Sequence, residues 1–138
     1  MDNDFWIAGV RAAGVFHLLT VGLAHFTPIP PNWEENLARL PAIHRRFAIA
    51  QNVFVGGTMV FAGVVSLLFA RELVADAAIA RLFCGGVALW WAARLIVLPW
   101  LRVWPELRAP LLRAGFVLLH AECAAFAVVY GWLALRPA

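Results

Sequence analysis

Two histidines, His17 and His120, lie deep inside separate apolar stretches, and a carboxylate, Glu122, stands close to the second. Ionisable side chains at membrane depth are costly, which makes them functional candidates. Imidazole is a common metal ligand and a usual axial ligand of haem iron, so a facing pair of histidines is the pattern of a bis-His haem b or metal site. Such a site needs the ligand nitrogens about 4 Å apart across the metal, from metal–nitrogen bonds of about 2 Å. It also needs a flat slot, for which Gly14, Gly22 and the small residues around His120 are candidates. A quinone or proton-relay role uses the same residues. A plain structural role is the other reading: hydrogen bonds to backbone, threonine or each other that fix helix register.

The remaining candidates are more peripheral. A mid-membrane carboxyl such as Glu122 is protonated, paired or functional. Arg94, about two turns from the end of its stretch, can snorkel to the surface or bind carbonyls inside a bundle. His25 and His44 can form a second, shallower pair or meet lipid headgroups. Arg46 opens the second stretch. Cys84 and Cys123 fall inside apolar stretches and form no C-x-x-C motif, so both read as buried free thiols.

The elements that must position these residues follow from hydropathy. The chain of 138 residues is 64% hydrophobic and 14% charged, whereas soluble domains are about 45–50% apolar and about 25% charged. The excess falls into blocks of about 20 residues, enough to cross about 30 Å of hydrocarbon. Four spans are expected, over residues 5–26, 47–70, 78–101 and 111–134. In lipid every backbone group must find its partner internally, so the spans are helices. A cleavable leader is not expected, because the first span follows an acidic start with Asp2 and Asp4 rather than a basic one.

Helix arithmetic sets the depths. With about 1.5 Å per residue, His17 is roughly 18 Å from the terminal side of the first span, and His120 roughly 21 Å and Glu122 roughly 18 Å from the same side of the fourth. An up-down bundle makes these two helices neighbours, so His17 and His120 are expected to face each other. Glu122 is about 200° around the helix from His120 and points elsewhere.

The connections differ in character. Loop one is long, and Trp33, Leu37 and Leu40 recur at helical spacing within it, with Asn32 and Glu35 as a capping box and Pro41 as a stop. A short interfacial helix is expected there. Trp6, Trp33, Trp100, Trp104 and Trp132 lie near span ends, as an interfacial belt does. Basic residues are all arginine, with Arg39, Arg45, Arg46, Arg102, Arg108 and Arg113 on the side of loops one and three. The positive-inside rule places that side in the cytoplasm and both termini outside, in a bacterial inner membrane. Single arginines at helix ends are not the basic, aromatic-laced face of a nucleic-acid binder. Nucleotide-binding and hydrolase motifs are absent from the sequence.

Trp33, Leu37 and Leu40 followed by Arg46, with Trp91-x-x-Arg94 and Tyr130-Gly-Trp132, resemble a set of uncharacterised four-span bacterial membrane proteins. Arg46 and Asn52 also resemble the opening of the second span in the MAPEG family of glutathione-dependent membrane enzymes. Cys84-Gly85 with Ala93-Arg94 resembles that family's third span. The second resemblance implies four spans, a cytoplasmic first loop and transferase activity. Val55 and Thr58 depart from it, standing where the family has Glu and Pro.

The expectation is an all-α, polytopic membrane protein: one antiparallel four-helix transmembrane bundle over residues 1–138 with an interfacial helix in loop one. Its expected role is a non-catalytic small subunit or assembly partner of a larger membrane complex, redox or photosynthetic complexes being the candidates. Its expected partners are the bilayer and other membrane subunits or further copies. A bis-His haem b or metal-binding electron carrier using His17 and His120 comes second, and a MAPEG-like transferase third.

Overall fold

A computed structural model describes residues 3–26 and 32–137; Asp2 and the start of loop one, residues 27–31, lie outside them. The order is α1 (Asn3–Phe26), α2 (Trp33–Ala38), α3 (Ala42–Leu68), α4 (Ala70–Val74), α5 (Ala78–Trp100), a 3₁₀ turn (Trp104–Glu106) and α6 (Pro110–Leu135). The protein is an all-α four-helix bundle. α1, α3, α5 and α6 are each long and apolar enough to cross a membrane.

Local chemistry explains several boundaries. Pro110 starts α6 at a first-turn position, where a missing N–H costs nothing. Pro99 is tolerated in the last turn of α5, which closes at Trp100. The second span starts earlier than expected, at Ala42, because the Pro41 carbonyl accepts the Arg45 N–H at 3.0 Å and opens the helix. His44, Arg45 and Arg46 are therefore helical. The end of that span also differs. Phe69 breaks it (φ −116°, ψ 28°), and much of the expected loop two forms the short helix α4. Ala70, Leu73 and Val74 of α4 are buried, so its apolar side closes the terminal end of the bundle.

The interfacial helix α2 forms without the expected capping box. Asn32 adopts a left-handed conformation and its side chain makes no cap; its backbone carbonyl accepts the Asn36 N–H at 3.0 Å instead. Glu35 is ion-paired with Arg39 one turn on, which removes it from the cap.

The four long helices pack as two pairs, α1 with α3 and α5 with α6. Small residues set the α1–α3 crossing. A Cβ on Gly14 would lie 2.8 Å from the Gly63 carbonyl oxygen, and one on Gly63 would lie 3.0 Å from His17 Cβ. Backbones approach this closely only where side chains are missing. Gly14 is thus filled by α3 rather than left as a slot. In the second pair, Gly85 faces Ala134 and Gly131 faces Ala88 at ordinary contact distance. Loop three caps that pair: Leu107 is fully buried and its carbonyl accepts the Arg113 Nε–H at 2.7 Å.

Candidate functional site

The polar centre lies between the two helix pairs. Three side-chain hydrogen bonds cross from α1/α3 to α5/α6: Trp91 to His17 at 3.0 Å, Tyr130 to Ser66 at 2.6 Å, and Thr20 to Glu122 at 2.5 Å. Their α6 positions mark three levels: Glu122, Phe126 (stacked on His17) and Tyr130 are spaced four residues apart, about 6 Å of helix each.

His17 is completely buried. Its Nδ1–H donates to the Ala13 carbonyl at 2.7 Å, and its Nε2 accepts the Trp91 indole N–H. An indole N–H can only donate and a carbonyl can only accept, so the ring is the neutral Nδ1–H tautomer. Phe126 stacks on it with centroids 4.1 Å apart, and Trp91 and Tyr130 meet it edge-on. Both ring nitrogens are occupied, and aromatic rings fill the space around them.

Donor logic also orients the second bridge. Ser66 has one hydroxyl proton, which goes to the Ala62 carbonyl at 2.7 Å. Tyr130 must therefore donate to Ser66 Oγ. Every polar atom of this buried quartet has a partner, as burial in a low-dielectric core requires.

His120 is elsewhere. It is half-buried, its Nδ1–H donates to the Phe116 carbonyl at 2.8 Å, and its ring lies 4.5 Å from Phe116. The residue of α6 opposite His17 is Phe126, six positions further along, or about 9 Å of helix. The expected His17–His120 pair is thus not formed. The depth arithmetic assumed flush helix ends, and the true register offsets them. The face assignment is reversed as well, because Glu122, not His120, is turned toward α1.

Glu122 joins a second cluster. Its Oε1 accepts the Thr20 hydroxyl, and the Arg94 charge acts on the same carboxyl without a direct ion pair. The Arg94 guanidinium carbon lies 5.7 Å from the Trp90 ring centroid and 5.9 Å from that of Trp91, and its Nε is buried without a hydrogen-bond partner. Cys84 and Cys123 are buried free thiols, as read from the sequence.

The shallower candidates do not form a pair. His25 is exposed in the last turn of α1 and meets Phe26, and His44 is exposed in the first turn of α3. His25, Asn52, Trp33, Glu34 and Glu35 border a polar cleft of about 550 Å³ on the loop-one side. Arg46 is exposed, and Thr58 donates to the Phe54 carbonyl of its own helix at 2.8 Å. Among the described residues, no group of three His, Cys, Asp or Glu side chains could hold a metal ion.

Trp91, Ser66, Thr20 and Tyr130 were missed as partners of the central groups. The available signal was their polar tips: a buried indole N–H or phenol inside a span must find an acceptor.

Fold and centre define the class, a four-helix bundle whose apolar helices fit a multi-pass membrane protein. No family of proteins, curated protein or solved structure matches the chain, so its function rests on its own geometry.

Proposed function

We propose that the protein is a small integral membrane subunit that assembles with a larger membrane complex and stabilises it. The observation that carries this reading is the loop-one half of α3. From Ala42 to Thr58 no residue is fully buried, and Gln51 and Asn52 are exposed on it. Neither amide has a hydrogen-bond partner among the described residues. An amide on an apolar helix is stabilised by pairing with a neighbouring helix, and such polar residues act as glue between membrane segments. A second support is the centre itself, whose bonds link one helix pair to the other and leave no open histidine pair. In this reading loops one and three face the cytoplasm of a bacterium, where most arginines gather.

The test is isolation from native membranes in mild detergent. The expected product is a complex with stoichiometric partner chains, and the double substitution Gln51→Leu with Asn52→Leu releases them while the bundle stays folded. A clean monomer overturns the reading. A Soret band in the purified protein that His17→Ala abolishes would favour the haem carrier instead.

A further inference from the structure

A lateral cleft of about 250 Å³ lies between α3 and α5 on the membrane-facing side of the central network. Met59 and Phe61 of α3 and Phe83, Val87 and Trp90 of α5 wall it, and His17 lies at its inner end. Phe61 and Leu82 on its lining are mostly exposed, so the cleft is reached from the hydrocarbon region. Gly86 keeps one wall low, because a Cβ there would meet nothing within 4 Å.

Arg94 stands one turn beyond Trp90 on the same helix, toward loop three. Its guanidinium rests over the Trp90 ring, a wall of the cleft. The two ion pairs among the described residues, Arg39–Glu35 and Arg81–Asp76, do not involve it. A guanidinium within an apolar span needs a counter-charge or acceptor. Glu122 contributes at longer range only, and one of its oxygens is already bonded to Thr20. Arg94 lies just beyond the cleft's lining, beside the buried Cys123 thiol, and its Nε–H is unpartnered. An apolar cleft whose Trp90 wall carries a guanidinium is complementary to a chain ending in a carboxylate.

We propose that the α3–α5 cleft binds a long-chain fatty acid, with the chain against Met59, Phe83 and Val87 and the carboxylate at Arg94. The guanidinium fork matches a carboxylate's two oxygens, a geometry that a lone ammonium does not offer. The chain enters sideways from the bilayer and its far end remains in lipid. This site is independent of the assembly role proposed for the other half of α3.

Native mass spectrometry on the delipidated full chain tests this, with oleate, methyl oleate and dioleoyl phosphatidylglycerol as probes. A saturable one-to-one oleate adduct is expected, with methyl oleate and the phospholipid retained on the order of tenfold less, as loss of a charge-assisted bond implies. Gly86→Leu fills the cleft from a position with open space and abolishes the adduct while the melting temperature holds. Arg94→Gln weakens oleate on the order of tenfold and leaves methyl oleate unchanged. Oleate binding that survives Gly86→Leu overturns the proposal. Equal retention of the ester overturns the role of Arg94, and tighter retention of the phospholipid overturns the single-chain assignment.

Discussion

The terminal half and the loop-one half of the α1/α3 pair lie in helices that are both apolar enough to span a membrane, yet reach opposite states. In the terminal half, Val10, Ala13, Gly14 and His17 of α1 and Met59, Ala62, Gly63 and Ser66 of α3 are buried. Beyond His17 on α1, and before Met59 on α3, no residue is. The α5/α6 pair shows no such division, with buried residues from Ala80 to Leu98 and from Phe116 to Leu133. Hydropathy alone does not produce the packed half, because lipid is as apolar as a leucine core. What separates them is a glycine crossing and hydrogen bonds to the second pair, which only the packed half possesses in full.

The largest effect that would break this contrast comes from the crossing. Gly14→Val places a side chain against the Gly63 backbone, which cannot rotate away. Overpacking of this kind costs about 3 kcal/mol. Gly57→Val, in the open half, meets nothing within 4 Å and should change stability by less than about 1 kcal/mol. Thermal unfolding of both variants in the same detergent measures the difference. Equal losses would show that the open half is packed in the folded protein after all.

Next in size is the comparison of the two histidines. Both donate Nδ1–H to the carbonyl one turn earlier, so their local devices are identical. They differ in what Nε2 meets. His17→Leu leaves the Trp91 N–H buried without an acceptor, a loss of about 2 kcal/mol. His120→Leu leaves no buried partner behind and should cost less than about 0.5 kcal/mol. Trp91→Phe in the His17→Leu background removes the orphaned donor and should recover part of the loss. Absence of recovery would show that packing on Phe126, rather than the hydrogen bond, holds His17.

These two residues also mark what could be read before the fold was known. The four spans were legible, because length and composition dominate that signal. The depth of His17 was legible too, since α1 starts close to its expected place. Its partner was not, because the register between α1 and α6 moves the contact six residues along α6, and depth says nothing of rotation about a helix. Rotation is set by tertiary packing, here by the Gly14–Gly63 crossing that fixes where α1 turns His17. The same gap reversed the assignment of Glu122 and His120. The short helix α4 was missed for a related reason. α4 is stabilised by burying Leu73 and Val74 against helices remote in sequence, and no local cap announces it.

The smallest expected effect concerns Glu122, and it separates two accounts of the Thr20–Glu122–Arg94 cluster. Thr20 donates its hydroxyl to Glu122 Oε1, and a glutamine offers the same acceptor at the same place. If this bridge between α1 and α6 is what Glu122 supplies, Glu122→Gln changes stability by less than about 0.5 kcal/mol, while Glu122→Leu costs about 1 kcal/mol. If its charge instead compensates Arg94, glutamine is as damaging as leucine, because both leave the guanidinium without its nearest carboxylate. Thr20→Val separates the accounts further, since it removes the hydroxyl and leaves both charges. A double-mutant cycle between Thr20→Val and Glu122→Leu should show coupling, and one between Arg94→Gln and Glu122→Gln should show little. Strong coupling in the second cycle alone would move Glu122 from the bridges that join the helix pairs to the counter-charge of a single arginine. The seam would then be held by the Trp91–His17 and Tyr130–Ser66 bonds, both closer to the terminal side. The absence of buried residues in the loop-one half of the α1/α3 pair would follow directly, since no hydrogen bond of consequence would join the pairs beyond the level of His17.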